Sequence, residues 1–189
     1  VFFSNIVCEN NSAPNHGSAM YVGARPAYIS NVTCRLNTGT NAVTLVGHVF
    51  MANSLLHNNP QGGLASLGNT FGTEVKIYNS TLVQQMAAGI EAFGATSTFG
   101  SNHTEVYNTI IDGHIFKEQQ ATVAYHNCLI PGAKPGGVWD NTIGSDSTGN
   151  VDGTPVYFSK TNHNYRLWKC SPGVDEGDGT QLSGDWPDL

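Results

Sequence analysis

Along the first 130 residues one phrase of apolar and polar positions returns six times. An apolar residue is followed two places later by Asn, and three places beyond the Asn stands another apolar residue. The phrases run Phe3 to Cys8, Ile29 to Cys34, Met51 to Leu56, Ile77 to Leu82, Val106 to Ile111 and Tyr125 to Ile130, centred on Asn5, Asn31, Asn53, Asn79, Asn108 and Asn127. Subtracting successive Asn positions gives 26, 22, 26, 29 and 19. Such spacings are too irregular for a heptad or an α-solenoid, but they suit a β-solenoid whose strands stay fixed while its turns vary in length. Within each phrase the period is two, so alternate side chains share a face.

The expected architecture is therefore all-β, a parallel β-helix of about six coils. Phe3, Ile29, Met51, Ile77, Val106 and Tyr125 should stack inward as one column, and Cys8, Cys34, Leu56, Leu82, Ile111 and Ile130 as another. The six Asn residues are expected to form a buried structural ladder at a tight bend, each amide bonded to backbone or to the next Asn. Three places before the first three of them stand Phe2, Tyr28 and Phe50, and Tyr78 and Tyr107 continue two places along. Together these five predict an outward aromatic stripe, a binding surface for a flanking loop, a neighbouring subunit or a glycan.

After residue 130 the repeat stops. Pro131-Gly132, Pro135-Gly136-Gly137 and Gly144-Ser145 read as long loops. Residues 1–130 are thus assigned to coils, and residues 131–189 to a loop-rich final coil and C-terminal capping segment of the same domain. Trp168 and Trp186 are the expected plugs of the solenoid end.

Several motifs resemble the right-handed parallel β-helix repeat proteins, a large and mostly extracellular family. Asn11-Ser12-Ala13 followed by Gly17-Ser18-Ala19-Met20-Tyr21 is similar to a turn and strand of that family. Pro155-Val156-Tyr157-Phe158, Asn164-Tyr165-Arg166-Leu167 and Ser171-Pro172-Gly173-Val174-Asp175-Glu176-Gly177-Asp178 resemble the closing segment of bacterial surface β-helices that carry choice-of-anchor domains. Gly173 and Glu176 stand where those proteins usually have Ala. The resemblance implies a right-handed coil, the C-terminal part of such a protein and an extracellular or cell-surface location.

Composition narrows the function. Of 189 residues only 8 are Lys or Arg and the net charge is −6, so no basic stripe exists to hold phosphates and nucleic acid is not expected as a partner. No apolar run approaches the roughly 18 to 20 residues of a membrane span. The four cysteines include no Cys-x-x-Cys pair. Cys8 and Cys34 fall at equivalent places in consecutive coils, about 4.8 Å apart by strand spacing, and are either a disulfide or two reduced core thiols. Cys128 and Cys170 are the second candidate pair, a bond that would pin the cap to the coils.

Chemistry is sparse. Glu74, Glu91, Glu105, Asp112 and Glu118 are scattered, and only Glu105 and Asp112 flank the same Asn as a pair that could serve as acid and base. Seven His residues show no ligand spacing, no cofactor or metal is implied, and no catalytic residue is assigned. The acidic tail of Asp175, Glu176, Asp178, Asp185 and Asp188 reads as a solvated loop or a calcium loop. Of four sequons, those at Asn31 and Asn79 should stay bare inside the ladder, while Asn10 and Asn102 fall in turns.

Val1 already lies inside a repeat strand, so the first coil is expected to be open and adhesive, covered either by a preceding region of a longer protein or by another copy in self-association. The functional expectation is an extracellular structural or adhesive module of a bacterial surface protein or filament, assembling head to tail. The alternative is a carbohydrate-binding or polysaccharide-cleaving β-helix. The residues leave catalysis undecided and weigh against it.

Overall fold

A computed structural model describes residues 1–83 and 91–178 of the chain. The protein is all-β, with 52% of the described residues in strands stacked in parallel as a β-solenoid of about five turns. The coil has three faces. The first stacks β1 (Phe2–Glu9), β2 (Met20–Arg35), β3 (Val43–Ala52), β6 (Thr73–Tyr78), β9 (Asn102–Tyr107), β12 (Thr122–His126) and β13 (Ser145–Thr148). The second begins beyond the Asn bend, where the ends of β1 and β2 are followed by β4 (Leu55–His57), β7 (Thr81–Val83) and β10 (Ile110–Asp112). The third joins the starts of β2 and β3 to β5 (Leu64–Leu67), β8 (Glu91–Thr96) and β11 (His114–Lys117). The turn begun by the sixth phrase has the loop after Pro131 in place of its third side, which is why fewer complete turns than phrases are found.

Both inward columns form in the expected register. Phe3, Ile29, Met51, Ile77, Val106 and Tyr125 pair one to the next, and all but Phe3 are buried. Cys8, Cys34, Leu56, Leu82 and Ile111 do the same on the second face, with Ile130 continuing the buried column. A third column, Met20, Val43, Leu64, Phe93 and Ile115, closes the triangle. Each coil supplies a full apolar layer to the next, so removal of any middle member opens a cavity bounded by two neighbours.

The expected buried ladder of Asn5, Asn31, Asn53, Asn79, Asn108 and Asn127 does not form. All six have positive φ, between 45° and 56°. The first four are exposed and the last two half-buried. A left-handed residue is what the bend between two faces needs, and Asn tolerates that conformation better than any other side-chain-bearing residue. The inner side of the bend is satisfied by the next residue instead. Ser54, Ser80 and Thr109 each donate a hydroxyl hydrogen bond at 2.8 Å to the carbonyl two residues back. The same hydroxyls accept the backbone N–H of Val32, Ser54 and Ser80 from the adjacent coil. At Asn79, glycine is expected to cost little, whereas valine should cost about 1–2 kcal/mol in urea unfolding, because only the latter resists positive φ.

The C-terminal segment closes the far end. Trp139 packs against the core beside Tyr125, with ring centroids 5.9 Å apart, and its Nε1 donates to Gly144 O at 2.7 Å. The plug is thus Trp139 and not Trp168, which is 41% exposed. Trp186 lies outside the described residues. Beyond β13, an antiparallel hairpin of β14 (Tyr157–Ser159) and β15 (Asn164–Leu167) lies against the second face.

Candidate functional site

The outward side of the first face gathers the five aromatic residues into two stacks. Phe2, Tyr28 and Phe50 occupy one register position, with centroids 4.9 and 5.0 Å apart and planes within 12°. Tyr78 and Tyr107 occupy a second, 4.9 Å apart, and His126 extends it at 4.4 Å. Parallel in-register strands hold identical positions at one coil rise, which is the separation of offset-stacked rings. Openness varies along the stacks. Phe2 is 55% exposed, whereas Tyr78 is 1% exposed and Phe50 is also buried. The middle of this stripe is covered surface, not an open platform.

Charged groups continue the same face. Glu105 accepts a hydrogen bond from Tyr107 Oη at 3.0 Å and lies 3.9 Å from Lys76 and 3.7 Å from His103. His48 faces Glu74 at 3.6 Å. Asp112 is on the next face, bonded to Lys160 at 2.6 Å. Glu105 and Asp112 therefore sit on different faces of the coil, each turned to its own cation, which is not the arrangement of a cooperating acid and base. Among the described residues no three His, Cys, Asp or Glu side chains converge on one point.

An asparagine ladder does exist at a different bend, buried at Asn37 and Asn59 and exposed at Asn11. Asn11 Nδ2 donates to Asn37 Oδ1 at 2.9 Å, and Asn37 Nδ2 donates to Asn59 Oδ1 at 3.1 Å. The backbone N–H groups of Asn11 and Asn37 use the same acceptors at 3.1 Å. Asn37 Nδ2 also reaches Cys8 O and Arg35 O, both at 3.0 Å, and Asn59 Nδ2 reaches Cys34 O at 3.1 Å. Sequence reasoning missed these residues although the signal was there. Each lies six places after a phrase Asn (11 − 5, 37 − 31 and 59 − 53), so the spacings 26 and 22 recur.

Two of the bend asparagines have a separate task. Asn108 Nδ2 donates to Asp178 O at 2.8 Å while its Oδ1 accepts Asp178 N–H at 2.9 Å, and Asn127 Nδ2 donates to Glu176 O at 3.2 Å. The acidic tail is held by its backbone, as a strand would be. Asp185 and Asp188 lie outside the described residues. Three of the four sequons invert: Asn31 and Asn79 are exposed, whereas Asn102 is a strand residue, buried and bonded to Ser66 O and Thr96 O at 2.9 and 2.8 Å; Asn10 is exposed at a bend as expected.

All four cysteines carry free thiols. Cys8 and Cys34 stand side by side in register, and burial followed by the neighbouring Cys8 pushes the Cys34 thiol up. Cys128 does not pair with Cys170. Its Sγ points to Val106 O and His126 O at 3.3 and 3.4 Å inside the core, where burial pushes the thiol up to about 12, while Cys170 is exposed.

The hairpin docks through a ring cluster on the second face. His57, almost fully buried, lies 4.9 Å from Tyr165 and 5.1 Å from His163, and Tyr157 meets Tyr165 edge-on at 5.4 Å. Asn58 Nδ2 contacts His163 Nδ1 at 3.1 Å, and Lys160 bridges from the hairpin to Asp112. Burial first, then the nearby His163 and Arg35, hold His57 down to about 4. The chain matches no family model, no curated protein and no solved structure.

Proposed function

We propose that this chain is an extracellular structural or adhesive module that joins another β-coil through its first turn. The observation that carries this reading is the contrast between the two ends. β1 pairs on one side only among the described residues, as do β11 and β13 at the far end, so the contrast lies in the layer behind the edge. Phe3, Ile6 and Cys8, whose equivalents Ile29, Val32 and Cys34 are fully buried, are only partly covered. An apolar layer beside an unpaired strand edge favours addition of another strand. Among the described residues the far end is covered by Trp139 and the loop around it, and its edge strand β13 is exposed and polar. That asymmetry favours one-ended pairing over the endless head-to-tail growth expected from sequence, because a heterologous fibre needs two complementary ends.

The surface location and the choice-of-anchor-like ending belong to the same proposal, supported by the resemblance of the closing segment. Light scattering over rising concentration tests the docking edge. The chain is expected to grow to a dimer and stop, and Ile6→Lys is expected to hold it monomeric. Unlimited fibres would refute one-ended pairing. A monomer at all concentrations whose β1 amides are already slow to exchange would remove the docking role, since the edge would then be covered from within.

A further inference from the structure

The outer side of the cap hairpin carries a second surface, distinct from the first coil. Strand alternation turns Tyr165 inward onto His57 with Tyr157 against its edge, and leaves Phe158 and Arg166 outward. Phe158, 59% exposed, and Trp168, 41% exposed, lie with ring centroids 4.7 Å apart at 47°. With Arg166, Leu167 and Lys169 they line a groove of about 400 Å³. Two large exposed rings in one groove mark a contact surface.

The basic residues say what kind of contact. Of the 8 Lys and Arg residues, Arg35, Lys76, Lys134 and Lys160 pair with Glu9, Glu105, Asp146 and Asp112. Arg25 donates to the carbonyls of Phe71 and Gly72, and Lys117 to those of Glu118 and Ala121. The side chains of Arg166 and Lys169 make no ion pair or hydrogen bond among the described residues, and both line this groove. In a chain of net charge −6, the two cations without an internal partner thus stand beside its most open aromatic pair.

We propose that the groove formed by Phe158, Trp168, Arg166 and Lys169 binds an acidic sugar unit of a polysaccharide. The apolar face of a pyranose ring stacks on the exposed aromatic faces, and its carboxylate is met by the Arg166 fork and the Lys169 ammonium. A phosphodiester chain is a poorer fit, because its affinity grows with the number of phosphates neutralised and only two cations are here. The reading is independent of the docking edge.

Affinity electrophoresis of the whole chain in gels containing polygalacturonate, dextran or polyglutamate tests it. Polygalacturonate is expected to retard the protein and dextran is not, with the retardation weakening as salt rises. Arg166→Gln combined with Lys169→Gln, and separately Trp168→Ala, should each weaken binding on the order of tenfold, since a charge-assisted pair and a stacked ring are removed in turn. Lys117→Gln and Ile6→Lys should change nothing. Equal retardation by polyglutamate would overturn the sugar assignment in favour of an acidic peptide. Unaltered binding in the double Gln variant, whose sites are solvent-exposed and need not disturb the fold, would overturn the site.

Discussion

Asn37→Ala is expected to remove about 3 kcal/mol or more of stability, the largest loss for any single polar side chain of the first coils. The amide sits at the middle of the ladder with Asn11 on one side and Asn59 on the other. Its Oδ1 accepts from both the backbone and side chain of Asn11, and its Nδ2 faces Cys8 O, Arg35 O and Asn59 Oδ1. Alanine takes a donor from Cys8 O, Arg35 O and Asn59 Oδ1, while the exposed Asn11 can turn to water, and each buried group left short costs about 1–3 kcal/mol. Asn37→Asp sharpens the test. It keeps the shape and the acceptor but puts a carboxylate where the amide donated to three oxygens, which raises the carboxyl's pKa in the folded state. Its stability should therefore fall further as pH rises and the acid ionises. Urea unfolding at pH 4 and pH 7 measures both effects. A loss under about 1 kcal/mol for alanine, or an aspartate variant no worse at the higher pH, would show that the ladder is a passenger.

The inward columns were readable in the sequence because a parallel solenoid repeats one local rule: a period of two between bends fixes which of Ile29, Met51 and Ile77 face in, whatever the loops do. The Asn bends were readable as bends and misread as burial. The recurrence of Asn reports a demand for positive φ, which says nothing about whether the side chain is inside. The interior role falls on the small hydroxyl residue that follows, Ser54, Ser80 or Thr109, and on Asn37 and Asn59, whose flanks lack the apolar phrase. The aromatic columns were found, but their cover was not, because burial of Tyr78 depends on what packs over the sheet. Least legible of all was the cap. Tyr165 meets His57 across 108 positions of sequence, a contact set by where a hairpin lands and not by any repeat.

That contact makes the cap sensitive to acid. In the folded chain His57 titrates near 4 instead of its ordinary 6.5, so the docked state holds the imidazole neutral. The undocked state binds its proton earlier, and the stabilisation, complete above pH 6.5, is lost as pH falls from there toward 4. The full difference corresponds to about 3 kcal/mol at 1.36 kcal/mol per pKa unit. The groups facing His57 are His163 from the hairpin turn, Tyr165 from β15, Arg35 from the adjacent rung and Glu9 beyond it, and of these only Glu9 favours the charged ring. His126 is held down by burial in the same way and adds to the slope, whereas Glu118 and Asp140, held down by hydrogen bonds, contribute only below the ordinary carboxylate range. His57→Phe keeps a ring against Tyr165 and removes its titration, so its stability should fall less steeply than the wild type's between pH 6.5 and 4.5, while His126→Phe should remove another part of the slope. Hydrogen exchange at β14 and β15 should quicken in the wild type before the core columns do, because the protonated ring sits at the hairpin interface. Parallel pH profiles for wild type and His57→Phe would sink the assignment. If the profiles separate, acid also loosens the support of Arg166 and Trp168, since the groove is the outer side of the hairpin whose inner side rests on His57.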